Sequence, residues 1–216
     1  MKEYLQNIIR QHGLRLSLLL IIAIVCINAI LVLYYRNVIT KSSESAITIQ
    51  KIRDGLSNID SYFRQGDIGV RAYLIQQNPQ FLLPYNTARD NYKSNLDELE
   101  ATLAASGFNI TLMAPAIDAI SGYMQTLKLM IDLCDNGNVD EAIDLFLTDP
   151  GLAVYQRYSP FIQHCNDFIN KLSSESNHNY RSSVNRILII QIVLVFIAVP
   201  ILALAFRKIV QDDRFR

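Results

Sequence analysis

The chain is short of the residue types on which catalysis and covalent stapling rely. It has three histidines and three cysteines in 216 residues. His12, His164 and His178 lie far apart along the chain. No HExxH, CxxC or GxSxG is present, and no glycine-rich phosphate loop, so zinc hydrolysis, thiol redox chemistry, serine-type acyl transfer and nucleotide binding lack their usual carriers. His164 and Cys165 are adjacent and, on one helix, point in different directions, which makes no metal site. No cofactor or metal is expected, and an enzyme is the least expected class. The formal net charge is zero, so nucleic acid has no electrostatic footprint to meet.

Charge is also missing locally, and there its absence is informative. Leu16 to Tyr35 (LSLLLIIAIVCINAILVLYY) and Ile187 to Phe206 (ILIIQIVLVFIAVPILALAF) contain no charged residue. Each runs for roughly 20 residues, the length of helix that crosses a hydrocarbon core of ~30 Å. A buried core helix of that length would carry a polar stripe, and neither block does. Both are read as transmembrane helices. The first exceeds a secretory signal's apolar region and leaves through Tyr34, Tyr35 and Arg36 with no small-residue cleavage pattern, which favours an uncleaved anchor.

Lys2, Arg10 and Arg15 precede the first span, and Arg207 and Lys208 follow the second. Positive flanks mark the cytoplasmic side, so both termini are expected there, with residues 36–186 outside it. The sequence thus divides into a cytoplasmic tail (1–15), a first span (16–35), an extracytoplasmic domain (36–186), a second span (187–206) and a cytoplasmic stub (207–216). An inner-membrane, multi-pass protein with a periplasmic domain is the implied location.

The outer segment has helical periodicity throughout. Ile49, Ile52, Leu56, Ile59, Phe63, Gly66, Val70 and Tyr73 alternate in steps of three and four, a heptad seam with glycine as its weak point. Asn78-Pro79 predicts that this helix ends near Gln76 and that another begins at the proline. The second carries Phe81, Leu82, Tyr85, Ala88, Tyr92, Leu96, Leu99 and Leu103, ending at Ser106-Gly107. The third, from about Thr111 to Cys134, presents Leu112, Ala116, Ile120, Met124, Leu127 and Ile131 before DNGN breaks it. A short amphipathic helix, VDEAIDLFL, leads to Asp149-Pro150-Gly151. The last helix is striped by Leu152, Tyr155, Tyr158, Ile162, Cys165, Ile169 and Leu172, and no break separates it from the second span.

This pattern predicts an all-α fold, an up-down-up-down four-helix bundle inserted between two transmembrane helices. The first and last helices extend about 55–60 Å beyond the bilayer and the middle two only about 40 Å. The stretches RNVITKSSESA and SSESNHNYRSSVNR would then form a stalk, too polar for a tight two-helix seam, and better supported in a homodimer. Cys26 lies in the first span. Cys134 falls near the distal tip and Cys165 about 25 Å lower, beyond the ~7 Å that a disulfide spans. Two free, buried thiols are expected.

The run DIGVRAYLIQQNPQFLLPYNTARD, residues 67–90, carries the most information. Asp67, Arg71, Tyr73, Leu74, Asn78, Phe81, Leu82, Pro84, Tyr85 and Ala88 resemble the pattern of the third class of CHASE domain, the cyclase- and histidine-kinase-associated sensory extracellular domain. Ala72 stands where that family has glycine, and Gln76-Gln77 where it has Thr-Gly. The resemblance extends more weakly through NGNVDEAIDLFLTDPG and covers essentially residues 40–186. It implies a signal-input module of the kind that precedes histidine kinases, cyclases or chemoreceptor-like outputs in two-component and related signalling.

Taken physically, the same run is a corner between two helices. Asp67 and Arg71 are spaced i, i+4 for a surface ion pair, and Tyr73, Phe81 and Tyr85 can pack across the turn. A functional reading makes Asp67, Arg71, Tyr73, Tyr85 and Arg89 a distal pocket for an anionic or aromatic ligand. A plainer reading leaves them as a corner that sets the bundle. Within the spans, Asn28 and Gln191 fall at similar depth and are candidates for an interhelical hydrogen bond fixing register between spans or between protomers. Pro200 is expected to kink the second span.

The chain ends ten residues after the second span, at VQDDRFR, where no kinase, cyclase or methylation domain fits. It is expected to be either the sensor portion of a longer receptor or a protein acting through a cytoplasmic partner such as a kinase. Two other readings remain: a structural or regulatory membrane protein whose ectodomain binds another protein, and a chemoreceptor-like sensor with its site at a dimer interface.

Overall fold

Five α-helices and two 3-10 turns make up the described chain: α1 (Lys2–Gln76), a turn at Pro79–Leu82, α2 (Leu83–Ala105), a turn at Ile110–Leu112, α3 (Ala114–Asp135), α4 (Val139–Leu147) and α5 (Pro150–Asp213). The computed structural model describes residues 2–213, with side chains described for 19–204 and Arg207. The side chains of Lys2, Arg10, Arg15 and Lys208, on which the expected orientation rests, and of His12, lie outside the described ones. No strand occurs among the described residues.

The breaks fall where backbone chemistry puts them. Gly107 (φ +85°) and Gly137 (φ +84°) occupy the left-handed conformation just past α2 and α3. In both places the next amide bonds back across the turn, Phe108 N to Leu103 O at 3.0 Å and Asn138 N to Leu133 O at 2.9 Å. This is the closing pattern that glycine allows without a Cβ clash. At the other turns asparagine caps: the Asn78 side chain accepts from Gln80 N at 3.0 Å, and Asn109 from Thr111 N at 3.2 Å. The α1–α2 corner breaks the glycine rule. Gln77 holds φ +51°, while its amide donates to Tyr73 O at 2.7 Å. This turn carries a side chain, not a glycine, in the left-handed region.

Residues 45–174 form one compact unit, and the outer parts of α1 and α5 form a second. In the first, α1, α2, α3 and the start of α5 make the four-helix bundle and α4 packs against α3. Its core is two clusters. One joins Ile52 and Ile59 of α1, Leu99 and Leu103 of α2, Met113 at the head of α3, and Phe161, Cys165 and Ile169 of α5. The other joins Val70, Tyr73 and Leu74 of α1, Tyr85 and Ala88 of α2, Tyr123, Leu127, Met130 and Cys134 of α3, and Ala142 of α4. Burying side chains of this size contributes about 1.5–3 kcal/mol each. Cys134 and Cys165 are free and buried, one in each cluster.

Three expected stripe positions shift. Leu112, Leu152 and Tyr155 are exposed, and Met113, Val154 and Phe161 are buried instead. Gly66 is less a gap than a point of contact, since a Cβ there would meet Leu127 Cδ1 at 3.1 Å. Gly69 is tighter still: its Cβ would meet the backbone O of Phe81 at 3.0 Å and N of Tyr85 at 3.1 Å. The corner closes onto α1 because that position has no side chain.

In the second unit the outer parts of α1 and α5 lie against each other, and Ile187 is 5% exposed. The polar stretches therefore keep α1 and α5 in contact in spite of their composition. Two helices are long and apolar enough to cross a membrane, and they present bare hydrocarbon, with Leu33 66% and Phe196 75% exposed. Helix α5 continues through Pro200.

Candidate functional site

Each of the five residues singled out at the α1–α2 corner has a partner within the chain, Tyr73 and Tyr85 buried and Arg71 and Arg89 exposed. Asp67 and Arg71 form the expected i, i+4 pair at 2.8 Å. The other carboxylate oxygen of Asp67 accepts from the Tyr123 hydroxyl of α3 at 2.6 Å. Tyr123 is itself stacked on Phe63 with ring centroids 4.6 Å apart. Arg71 lies over the Phe146 ring of α4, 4.6 Å from its centroid, a favourable cation–π arrangement. Asp67 and Arg71 thus join α1 to α3 and to α4.

Tyr73 points into the core and donates its hydroxyl to Asp135 at the end of α3. Tyr85 is 3% exposed. Arg89 sits 5.9 Å from the centre of the Tyr85 ring and pairs with Asp90 at 2.9 Å. The five divide into three separate clusters. Tyr123, Asp135 and Phe146, which complete those clusters, were not singled out in the sequence. Tyr123 is one step off the α3 stripe, and Asp135 was legible only as part of a break.

The phenols titrate accordingly. The bond to Asp135, with burial, holds Tyr73 well above its ordinary value, and burial followed by the bond to Asp67 does the same for Tyr123. Burial also raises Tyr85, against the lowering pull of Arg89. All three are neutral hydrogen-bonding groups at physiological pH, and none is poised as an acid or base.

Two cavities lie elsewhere. One of about 320 Å³ opens between α1 and α5, lined by Arg53, Asp60, Arg64, Tyr155 and Tyr158 among others. A smaller one of about 160 Å³ lies between α1 and α2 around Asn58 and Asn95. Neither is lined by any of the five corner residues. Among the described residues no group of three or more His, Cys, Asp or Glu is placed to hold a metal ion.

The two amides in the apolar segments do not bond to each other. Asn28 Nδ2 donates to the Ile24 carbonyl of its own helix at 3.1 Å. Both Asn28 and Gln191 are partly covered.

The family model described as CHASE3 domain matches residues 42–179. No curated protein and no solved structure matches the chain. The matched region holds the whole bundle, its corner and both cavities. That match spans more than half of the chain, and an all-helical bundle flanked by two apolar helices fits the extracellular sensory modules it describes; the chain belongs to the CHASE3 domain family.

Proposed function

We propose that this chain is the membrane-anchored signal-input module of a receptor, with its bundle outside the cytoplasm and both termini inside. The observation that carries this reading is helix continuity. α1 and α5 each run unbroken from the bundle through an apolar segment, as Lys2–Gln76 and Pro150–Asp213. An α-helix transmits axial shift or rotation along its length because its backbone bonds are all internal. A change in bundle packing would therefore move Arg207 at the inner membrane face and alter the output attached or docked there. A stimulus achieves this only by binding two packings with different affinity. Two copies side by side would place four helices together near the bilayer, which suits a homodimer. Asn28 and Gln191, free of each other in one chain, are available to fix register between protomers.

Accessibility labelling tests the topology. With Asn109→Cys and Arg207→Cys in separate cell samples, a membrane-impermeant maleimide is expected to label the first in intact cells. The second should react only after permeabilisation. Labelling of both, or of Arg207→Cys alone, defeats the reading.

A second reading, an ectodomain that binds another protein, is favoured by the exposed apolar side chains around the distal turns. Ile75 is 81%, Leu147 71% and Leu83 70% exposed. A purified partner ectodomain that protects these positions from labelling would select it.

A further inference from the structure

The wall of the cavity between α1 and α5 includes a tyrosine whose hydroxyl the fold leaves unanswered. Tyr158 is 6% exposed and lines the cavity, and its buried hydroxyl has no hydrogen-bond partner. Buried polar groups in folded proteins are nearly always paired, by protein, water or ligand. The Asp60 carboxylate is close enough to act on this phenol electrostatically. It does not bond to it, being held by Arg64 at 2.9 Å on its own helix.

The charge balance of the lining points the same way. Asp60 and Arg64 neutralise each other. Arg53, on the same face of α1, has no carboxylate partner among the described residues, so the cavity keeps one uncompensated positive charge. Leu56, Ile162 and the ring of Tyr155 supply apolar wall. A volume of about 320 Å³ falls at the small end of ligand sites, which run from roughly 300 to 1,000 Å³ and combine apolar walls with a few fixed polar groups.

We propose that this cavity is a binding site for a small organic carboxylate, its anionic end on Arg53, an acceptor oxygen or the same carboxylate taking the Tyr158 hydroxyl, and its hydrocarbon against Tyr155 and Ile162. The guanidinium offers a carboxylate two parallel donors, and the phenol offers a third. The site differs from the distal corner, whose arginines and tyrosines already have partners. It is built only from α1 and α5, the two helices that carry the apolar segments. On the sensory reading above, on which this consequence rests, occupancy would bias the packing of the two helices that leave the bundle. Pro160, between Tyr155 and Ile162 in the interior of α5, removes a backbone donor and loosens the helix at that level.

The full chain in nanodiscs is tested by thermal shift and calorimetry against acetate, lactate, succinate, benzoate and 4-hydroxybenzoate. At least one is expected to bind and raise Tm. Arg53→Gln is expected to weaken that ligand by roughly tenfold or more, the loss typical of a charge-assisted bond. Lys93→Gln, which removes an exposed charge on α2, should leave binding unchanged. Tyr158→Phe should weaken binding several-fold, while the unliganded variant is at least as stable as the parent because it no longer buries an unpaired hydroxyl. No binding by any of the five up to about 10 mM, a very weak affinity, overturns the proposal, as does binding that Arg53→Gln leaves intact. Binding unaltered in Tyr158→Phe removes the phenol from the site. Ligand binding with no change in cross-linking at Arg207→Cys would retain the site and count against the sensory reading. Absence of binding counts against the site alone.

Discussion

The Tyr123 hydroxyl of α3 donates to the Asp67 carboxylate of α1 at 2.6 Å, and the same carboxylate holds Arg71 at 2.8 Å. One acidic side chain thereby fixes three elements, because Arg71 also covers the Phe146 ring of α4. Tyr123 lies 56 residues from Asp67, and Phe146 lies further along the chain still, so the latch forms only when the bundle is closed.

Tyr123→Phe removes one donor and leaves Asp67 still paired with Arg71, and is expected to cost about 1–2 kcal/mol. Asp67→Ala strands both partners and should cost more, roughly 2–3 kcal/mol. Thermal or denaturant unfolding of the full chain in detergent checks the order. Equal effects from the two substitutions would show that Asp67 is not the shared anchor.

Gln77 holds φ +51° at the end of α1, a conformation that costs an L-residue roughly 1–2 kcal/mol and glycine little. Gln77→Gly is therefore expected to raise stability by about 1 kcal/mol, less whatever entropy the more flexible unfolded chain regains. A lower Tm in the variant would mean that the Gln77 side chain contributes more than its backbone costs.

Two Gly→Ala substitutions should act with opposite sign. At Gly69 the new methyl would meet backbone atoms of the corner at 3.0 and 3.1 Å, and backbone cannot step aside, so a loss of roughly 1–3 kcal/mol is expected. At Gly122, inside α3, nothing lies within 4 Å, and alanine should stabilise by about 0.5–1 kcal/mol through helix propensity. Circular dichroism melts of the pair, measured together, decide it.

Burial pushes the Cys165 thiol up from an ordinary 9.0 to about 12, and it raises Tyr123 and Tyr158 above 10.0 as well. A group whose folded pKa exceeds its unfolded value contributes stability that is complete below the unfolded value and is lost as pH rises through the folded one. Stability should accordingly stay level with respect to these groups up to about pH 9 and fall from there towards pH 12 and beyond. At pH 8 a thiol reagent is expected to modify Cys165 only at the rate of unfolding. Prompt modification in the native state would contradict the buried placement.

Periodicity revealed most of the helices because each buries one face against neighbours, and burial imposes a repeat that the sequence must show. The breaks at Gln76, Gly107 and Gly137 were equally legible, since Asn-Pro and glycine act on their own backbone. Tyr123, Asp135 and Phe146 were not. A hydrogen bond between residues 56 or 62 positions apart leaves no local trace, and arginines and tyrosines near a helix break look the same whether they await a ligand or hold a corner.

The sequence alone determined that this is a helical bundle held between two apolar helices, because helix periodicity, caps and uncharged runs are local properties of consecutive residues. Only the tertiary structure decided that Asp67, Arg71 and Tyr73 bind their own bundle, and that the unanswered phenol and the unpaired arginine belong to a cavity that begins about one turn from Asp67 along α1. Those outcomes depend on which side chains of α3, α4 and α5 arrive beside them, and packing in three dimensions sets that.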